Sequence, residues 1–172
     1  MDNSKENDMV LIMDNIYLGN ITAANNINNL KKEGIKKILS VIDYSRAPRY
    51  KEEDNFNQKI INIADVPVVN IIKYFGECIN FIEGEDKVLV HCIGGASRSA
   101  SIVIAYIMWK LKISYKEAYI YVNKKKSSIF PNSGFQEQLK KFETLLKENK
   151  CNLSDVNFRA IIWKPKISYT FY

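Results

Sequence analysis

The sequence predicts an α/β domain with a mostly parallel central sheet flanked by helices. Three observations predict it. Short apolar runs at Ile16-Tyr17-Leu18, Ile35 to Ile42, Lys59 to Ile63 and Lys87 to Val90 alternate with segments of helical periodicity. The run at 87–90 lacks polar alternation, which suits a strand covered on both faces. With 172 residues, 47% of them hydrophobic, the chain is long enough for a single domain with one sizeable core.

Ile16-Tyr17-Leu18 reads as a strand ahead of Gly19-Asn20. Thr22 to Glu33 reads as one helix. Ala23, Ile27 and Leu30 keep its spacing, Lys31 and Lys32 suit its C-terminal end, and Gly34 stops it. Asp43 to Gln58 is polar and reads as an exposed loop, and Ala64 to Val69 as a second loop holding Asp65 and Pro67. Asn70 is placed to cap a helix reaching about Glu83, with Ile71, Phe75, Cys78 and Ile82 on one face. Ser99 to Leu111 is apolar nearly all round and belongs in the core. Ser114-Tyr115-Lys116-Glu117 and Ser133-Gly134-Phe135-Gln136 read as capping boxes, the second opening a helix to about Asn149 with Phe135, Leu139, Phe142 and Leu146 as its stripe.

At the ends, residues 1–10 read as a flexible N-terminus, 11–150 as the folded domain, and 151–172 as an aromatic tail. Phe158, Trp163, Tyr169, Phe171 and Tyr172 are too many aromatics for a free tail, so it is expected to pack back on the domain. No apolar run of about 18 residues suggests a membrane span. Met1 to Met9 is polar and does not read as a secretory signal. Cys78, Cys92 and Cys151 are an odd, widely spaced set, and His91 is the single histidine, so neither a disulfide framework nor a metal site reads out. Free thiols fit a cytoplasmic protein, or a nuclear one. The net charge of +6 is concentrated after residue 109: residues 110–150 carry 10 basic and 4 acidic side chains, which read as solvated helix faces or as attraction for an anionic substrate.

The segment Val88-Leu89-Val90-His91-Cys92-Ile93-Gly94-Gly95-Ala96-Ser97-Arg98-Ser99 carries the chemistry. A loop leaving a strand and entering a helix points its backbone N–H groups inward, so Ile93, Gly94, Gly95, Ala96, Ser97 and Arg98 form a candidate phosphate cradle. Gly94 and Gly95 permit close approach and positive φ. Arg98 adds a planar fork for two phosphate oxygens. The same field favours thiolate over thiol at Cys92, and thiolate is the nucleophile. A general acid is also needed, and Asp43, Asp54 and Asp65 are the candidates.

His-Cys-x2-Gly-x2-Arg-Ser between an apolar strand and a core helix resembles the protein tyrosine phosphatase superfamily, and within it the small dual-specificity phosphatases. Ile16-Tyr17-Leu18-Gly19, Ala105-Tyr106-Ile107-Met108 and Pro131-Asn132-Ser133-Gly134-Phe135 extend the resemblance from about Ile16 to Leu146. It implies a protein tyrosine phosphatase-like fold, with Cys92 as nucleophile, Arg98 as phosphate clamp and Ser99 assisting phosphoenzyme breakdown. It also implies that His91 supports loop geometry and the thiolate, and that Asn132 braces the loop. The family places its acid just after a strand and ten residues before an aromatic, which selects Asp65, with Phe75 following. Val66-Pro67-Val68-Val69 departs from the family's polar sequence after that aspartate.

The resemblance implies hydrolysis of phosphotyrosine and phosphoserine or phosphothreonine on proteins, since no match is seen to the extra loop that deepens the pocket of tyrosine-only relatives. Phosphoprotein substrates are the implied partners, without metal or other cofactor; nucleic acid is not favoured, and no oligomeric state is implied. Phosphoinositide or RNA 5′-triphosphate hydrolysis is the alternative, weakened for lipids because Ile93 to Ser97 contain no lysine. A phosphate-binding scaffold is a third reading, disfavoured by the joint presence of Cys92, Arg98 and Asp65.

Overall fold

A computed structural model describes residues 8–165. Five strands, β1 (Met9–Met13), β2 (Ile16–Gly19), β3 (Lys37–Val41), β4 (Asn57–Ile61) and β5 (Val88–His91), form one sheet in the order β1-β2-β5-β3-β4. Only β1 is antiparallel to its neighbour, so the sheet is mostly parallel as its apolar runs predict. Strand alternation divides the core between two faces. Tyr17, Ile38 and Leu89 pack with Ala23, Ala24 and Leu30 on one side. Ile16, Leu18, Leu39, Val88 and Val90 pack with the larger helical layer on the other.

The small layer is α1 (Ile21–Asn25) and α2 (Ile27–Glu33), not the single helix expected over 22–33. Asn26 breaks it: its backbone leaves the helical region (φ −88°, ψ 74°) and its side chain accepts from the Asn29 N–H to start α2. Gly34 closes α2 in the left-handed conformation at φ 75°.

The large layer is α3 (Phe75–Ile82), α4 (Arg98–Leu111), α5 (Tyr115–Asn123) and α6 (Ser133–Glu148). Residues 98–108 of α4 are all buried, so this helix is the centre of the domain. Phe75 of α3 meets Phe142 of α6 edge to face at 5.1 Å. The Ser114 capping box of α5 forms as expected.

Four details correct the sequence reading. Met9 and Val10 are not a flexible end: Met9 pairs with Gly19 and Val10 packs on the core, while residues 1–7 lie outside the described residues. The fourth strand is Asn57–Ile61 rather than 59–63, because Asn57 pairs with Lys37, which frees Ile63 for the site. Asn70 does not cap α3; its amide donates to the Ile161 carbonyl instead. The cap of α6 is Asn132, whose side chain accepts from the Phe135 N–H, and Gln136 donates to the Pro131 carbonyl rather than closing a box on Ser133.

Candidate active site

The loop at 93–97 hangs from the C-terminal end of β5, at the edge where parallel strands present their ligand crevice. Cys92 is 2% exposed. Two donors point at its sulfur: the Gly95 N–H at 3.2 Å and the Ser99 hydroxyl at 3.1 Å. Outward-facing loop carbonyls are taken by neighbours: the Ile21 N–H donates to Ile93 and the Phe130 N–H to Ala96. Gly95 alone of the two loop glycines has positive φ (69°), and a Cβ there would lie 2.6 Å from the Gly19 carbonyl oxygen. Gly94 has no positive φ, contrary to expectation; a Cβ on it would meet nothing within 4 Å, which leaves its backbone open to an approaching ligand.

Ser97 occupies the N-cap position of α4 yet makes no capping bond. Its hydroxyl donates to Asp65 Oδ1 at 2.6 Å and accepts from the Asn132 N–H at 3.1 Å. Asn132 completes the triangle with a 2.8 Å bond from its amide to the same Asp65 oxygen. The first turn of α4 therefore has no side-chain cap, and its N–H groups and dipole face the loop.

Arg98 is 6% exposed. Its Nη1 donates to the Ile63 carbonyl at 3.1 Å, which fixes the plane of the guanidinium. Its Nε is buried without a hydrogen-bond partner among the described residues. Two carboxylates flank it: Asp65 Oδ2 at 4.0 Å from Nε and Asp43 Oδ2 at 3.7 Å from Nη1. The third acid candidate, Asp54, is elsewhere: Lys31 binds it at 2.7 Å and it accepts from the Lys51 N–H.

Beneath the loop, His91 is fully buried. Its Nδ1 lies 3.1 Å from the Cys92 carbonyl, which only accepts, so Nδ1 carries the proton. Nε2 is then the acceptor for the Ser40 hydroxyl at 2.7 Å, and Ser40 in turn accepts from the Gln58 amide at 3.1 Å. Burial pushes the imidazole down to about 4, with the Arg98 guanidinium adding to the shift and the hydrogen bond to Cys92 opposing it. A neutral histidine orienting the cysteine's own peptide is the result.

The sequence reading thus places Cys92, Arg98, Ser99, Asp65, Asn132, His91 and the 93–98 loop, and the structure brings them together. It missed Ser40 and the second contact of Arg98 with Asp43. A signal for Ser40 was present: it is the one hydroxyl in the buried strand Lys-Ile-Leu-Ser-Val, in register with His91. Cys78 is a core residue, its thiol pushed up by burial. Arg46 and Arg49 are exposed, with Arg49 stacked on Tyr44 at 4.7 Å. Among the described residues no group of three or more His, Cys, Asp or Glu could hold a metal ion, and no helix is long and apolar enough to cross a membrane.

A buried thiol at the foot of an uncapped helix, faced across its loop by a carboxylate, is the architecture of the cysteine-dependent phosphatases. The model of the dual specificity phosphatase catalytic domain matches residues 16–145, and the chain belongs to that family. It is 42% identical over 149 residues to a probable dual specificity protein phosphatase of Dictyostelium discoideum, covering 85% of this chain and 37% of that protein. It is 40% identical over 143 residues to dual specificity protein phosphatase 9 of Homo sapiens, covering 80% and 37%. The chain thus spans little more than a third of the length of these two relatives. The crystal structure of the human tyrosine phosphatase-like serine/threonine/tyrosine-interacting protein superposes with a TM-score of 0.77 at 35% identity, covering 83% of this chain and 99% of that one.

Proposed function

We propose that the chain is a protein phosphatase acting on phosphotyrosine and phosphoserine or phosphothreonine through a phosphocysteine intermediate. One observation carries the reading most. The Ser97 oxygen accepts from the Asn132 N–H rather than from its own helix, and its hydroxyl donates to Asp65, so the first turn of α4 is left for a phosphoryl group beside Cys92, where Arg98 Nε has no hydrogen-bond partner among the described residues. In the proposed reaction the Cys92 sulfur attacks phosphorus and the ester P–O bond breaks, while Asp65 gives a proton to the leaving oxygen. Water then attacks the phosphocysteine, Asp65 takes its proton, and the P–S bond breaks with the Ser99 hydroxyl donating to the departing sulfur. Arg98 and the N–H groups of residues 93–98 hold the equatorial oxygens throughout. His91 and Asn132 are positioning residues in this scheme, acting through the Cys92 peptide and the Asp65 carboxyl.

Phosphoproteins are the substrates we favour over phosphoinositides, because Ile93 to Ser97 supply no lysine for an inositol headgroup. Cytoplasm or nucleus is the setting we propose, in keeping with three unpaired cysteines. The test is phosphate release from phosphotyrosine peptide, phosphothreonine peptide and phosphoinositide side by side, without added metal, with Cys92→Ser as control. Release from both peptides that the control abolishes is the expected result. Release from the lipid alone, or undiminished release by Cys92→Ser, would overturn it.

A further inference from the structure

Residues 151–165 lie beyond the stretch matched to the family, yet they return to the loop that carries Asp65. The path is anchored along its length. The Trp109 indole donates to the Cys151 carbonyl at 3.0 Å. The Phe158 ring lies over Gly76 so closely that a Cβ there would sit 2.5 Å from it, and its centroid is 6.1 Å from that of the Phe142 ring. The Asn70 amide then donates to the Ile161 carbonyl at 2.7 Å, and the Trp163 indole donates to the Pro67 carbonyl at 3.0 Å.

Pro67 and Asn70 belong to the 64–70 loop, which is held on its far side by Val69: its side chain packs on the core, its N–H donates to the Val66 carbonyl and its carbonyl accepts from the Gln138 amide. Val66 and Val68 are exposed and bury no side chain that could fix the loop. Below the loop, the Pro67 carbonyl presses on Gly134 of α6, where a Cβ would fall 2.0 Å from the oxygen. The Trp163 indole supplies that carbonyl's hydrogen bond, so the peptide two residues after Asp65 is gripped between α6 and the returning chain. With Nδ2 turned to Ile161, the buried Asn70 Oδ1 has no hydrogen-bond partner among the described residues.

We propose that residues 158–163 form a latch on the Asp65 loop, with Trp163 and Asn70 as positioning residues that hold the carboxyl where a leaving oxygen needs its proton. This rests on Asp65 as the general acid. Were the Pro67 peptide free to rotate, the carboxyl would keep its bonds to Ser97 and Asn132 only part of the time, and a small misplacement of a proton donor is costly.

The test uses the full chain and a series of aryl phosphates from 4-nitrophenyl to phenyl phosphate. Trp163→Phe keeps the ring and removes the donor. It is expected to lower kcat/KM about three- to tenfold for phenyl phosphate and less than about twofold for 4-nitrophenyl phosphate, since a poor leaving group depends most on the acid. Asp65→Ala should show the same trend more steeply, and adding Trp163→Phe to it should cost nothing further. An equal loss along the series, no loss at all, or an additive loss in the double variant overturns the latch. A flat response of Asp65→Ala itself would instead remove the acid on which the latch acts. Asn70→Ser, read in the same series, should follow Trp163→Phe; a melting temperature that falls with an equal loss along the series would mark Asn70 as structural only.

Discussion

The Ser97 hydroxyl donates to Asp65 Oδ1 across 2.6 Å, joining the loop after β5 to the loop after β4. A serine at the start of a helix ordinarily turns its oxygen back on the helix. Here the bond reaches outward, and one side chain both leaves α4 open to an anion and fixes the carboxylate that faces it.

Ser97→Ala should therefore act on rate more than on fold. Asn132 still holds Asp65, so a loss of about three- to tenfold in kcat/KM for phosphotyrosine peptide is expected, with about 1 kcal/mol lost in urea unfolding. Unchanged kinetics would mean that the bond places nothing.

Arg98→Lys keeps the charge and loses the fork. The Nε that we propose binds phosphate disappears, and so does the Nη1 bond to Ile63 that sets its plane. A fall of about 10² or more in kcat/KM is expected, the scale of losing one oxyanion donor. Near-normal turnover by the lysine variant would show that charge alone suffices.

His91 gives a pH dependence of definite sign. Its folded value of about 4 lies below the unfolded 6.5, so the unfolded chain binds the extra proton between those limits. Stability is thus unaffected by this group above about 6.5 and falls as pH drops from there toward 4. Between pH 7.5 and pH 5 the loss from His91 is about 2 kcal/mol. Urea unfolding of wild type and His91→Asn at both pH values should differ by that amount in their pH dependence; parallel curves would contradict a neutral, buried imidazole.

Gly95→Ala should be destabilising by roughly 1–3 kcal/mol, because its φ of 69° strains any side chain and the new Cβ would press on the Gly19 carbonyl. Gly94→Ala has room in the protein and should fold normally, but its methyl would enter the open space where we propose a phosphoryl group binds. A thermal melt and a phosphate-release assay on both should separate the two glycines; equal stability of the pair would count against the strain.

Much of this was legible in sequence because the signals were local. The apolar run before Cys92 and the 99–111 stretch, apolar nearly all round, declare a buried strand and a buried helix, and the loop between them is defined by its ends. Asp65 was selected among three candidate aspartates only through the family resemblance, which places an acid after a strand and ten residues before an aromatic. What escaped depended on partners far along the chain. Asn26 splits a helix whose periodicity runs on undisturbed, since a side chain competing for backbone N–H groups leaves no mark on hydrophobic spacing. Asn70 looks like a cap and instead serves Ile161, 91 residues away. β1 was hidden because Met9–Met13 follows a polar start and lies on a sheet edge, where burial is partial and alternation faint.

The proposed site draws Gly19 to Gly95, Ser40 to His91, Asp65 to Asn132 and Pro67 to Trp163, each across a long span of chain. Contacts of such separation form late, after the loops between them have closed. During synthesis, a nascent chain that has made Cys92 but not Asn132 holds its thiol without the residue that ties the two loops together, and the latch joins only after residue 163 has left the ribosome. Full activity would then require a chain that reaches residue 163, and one terminated before Asn132 would carry the cysteine without its full machinery.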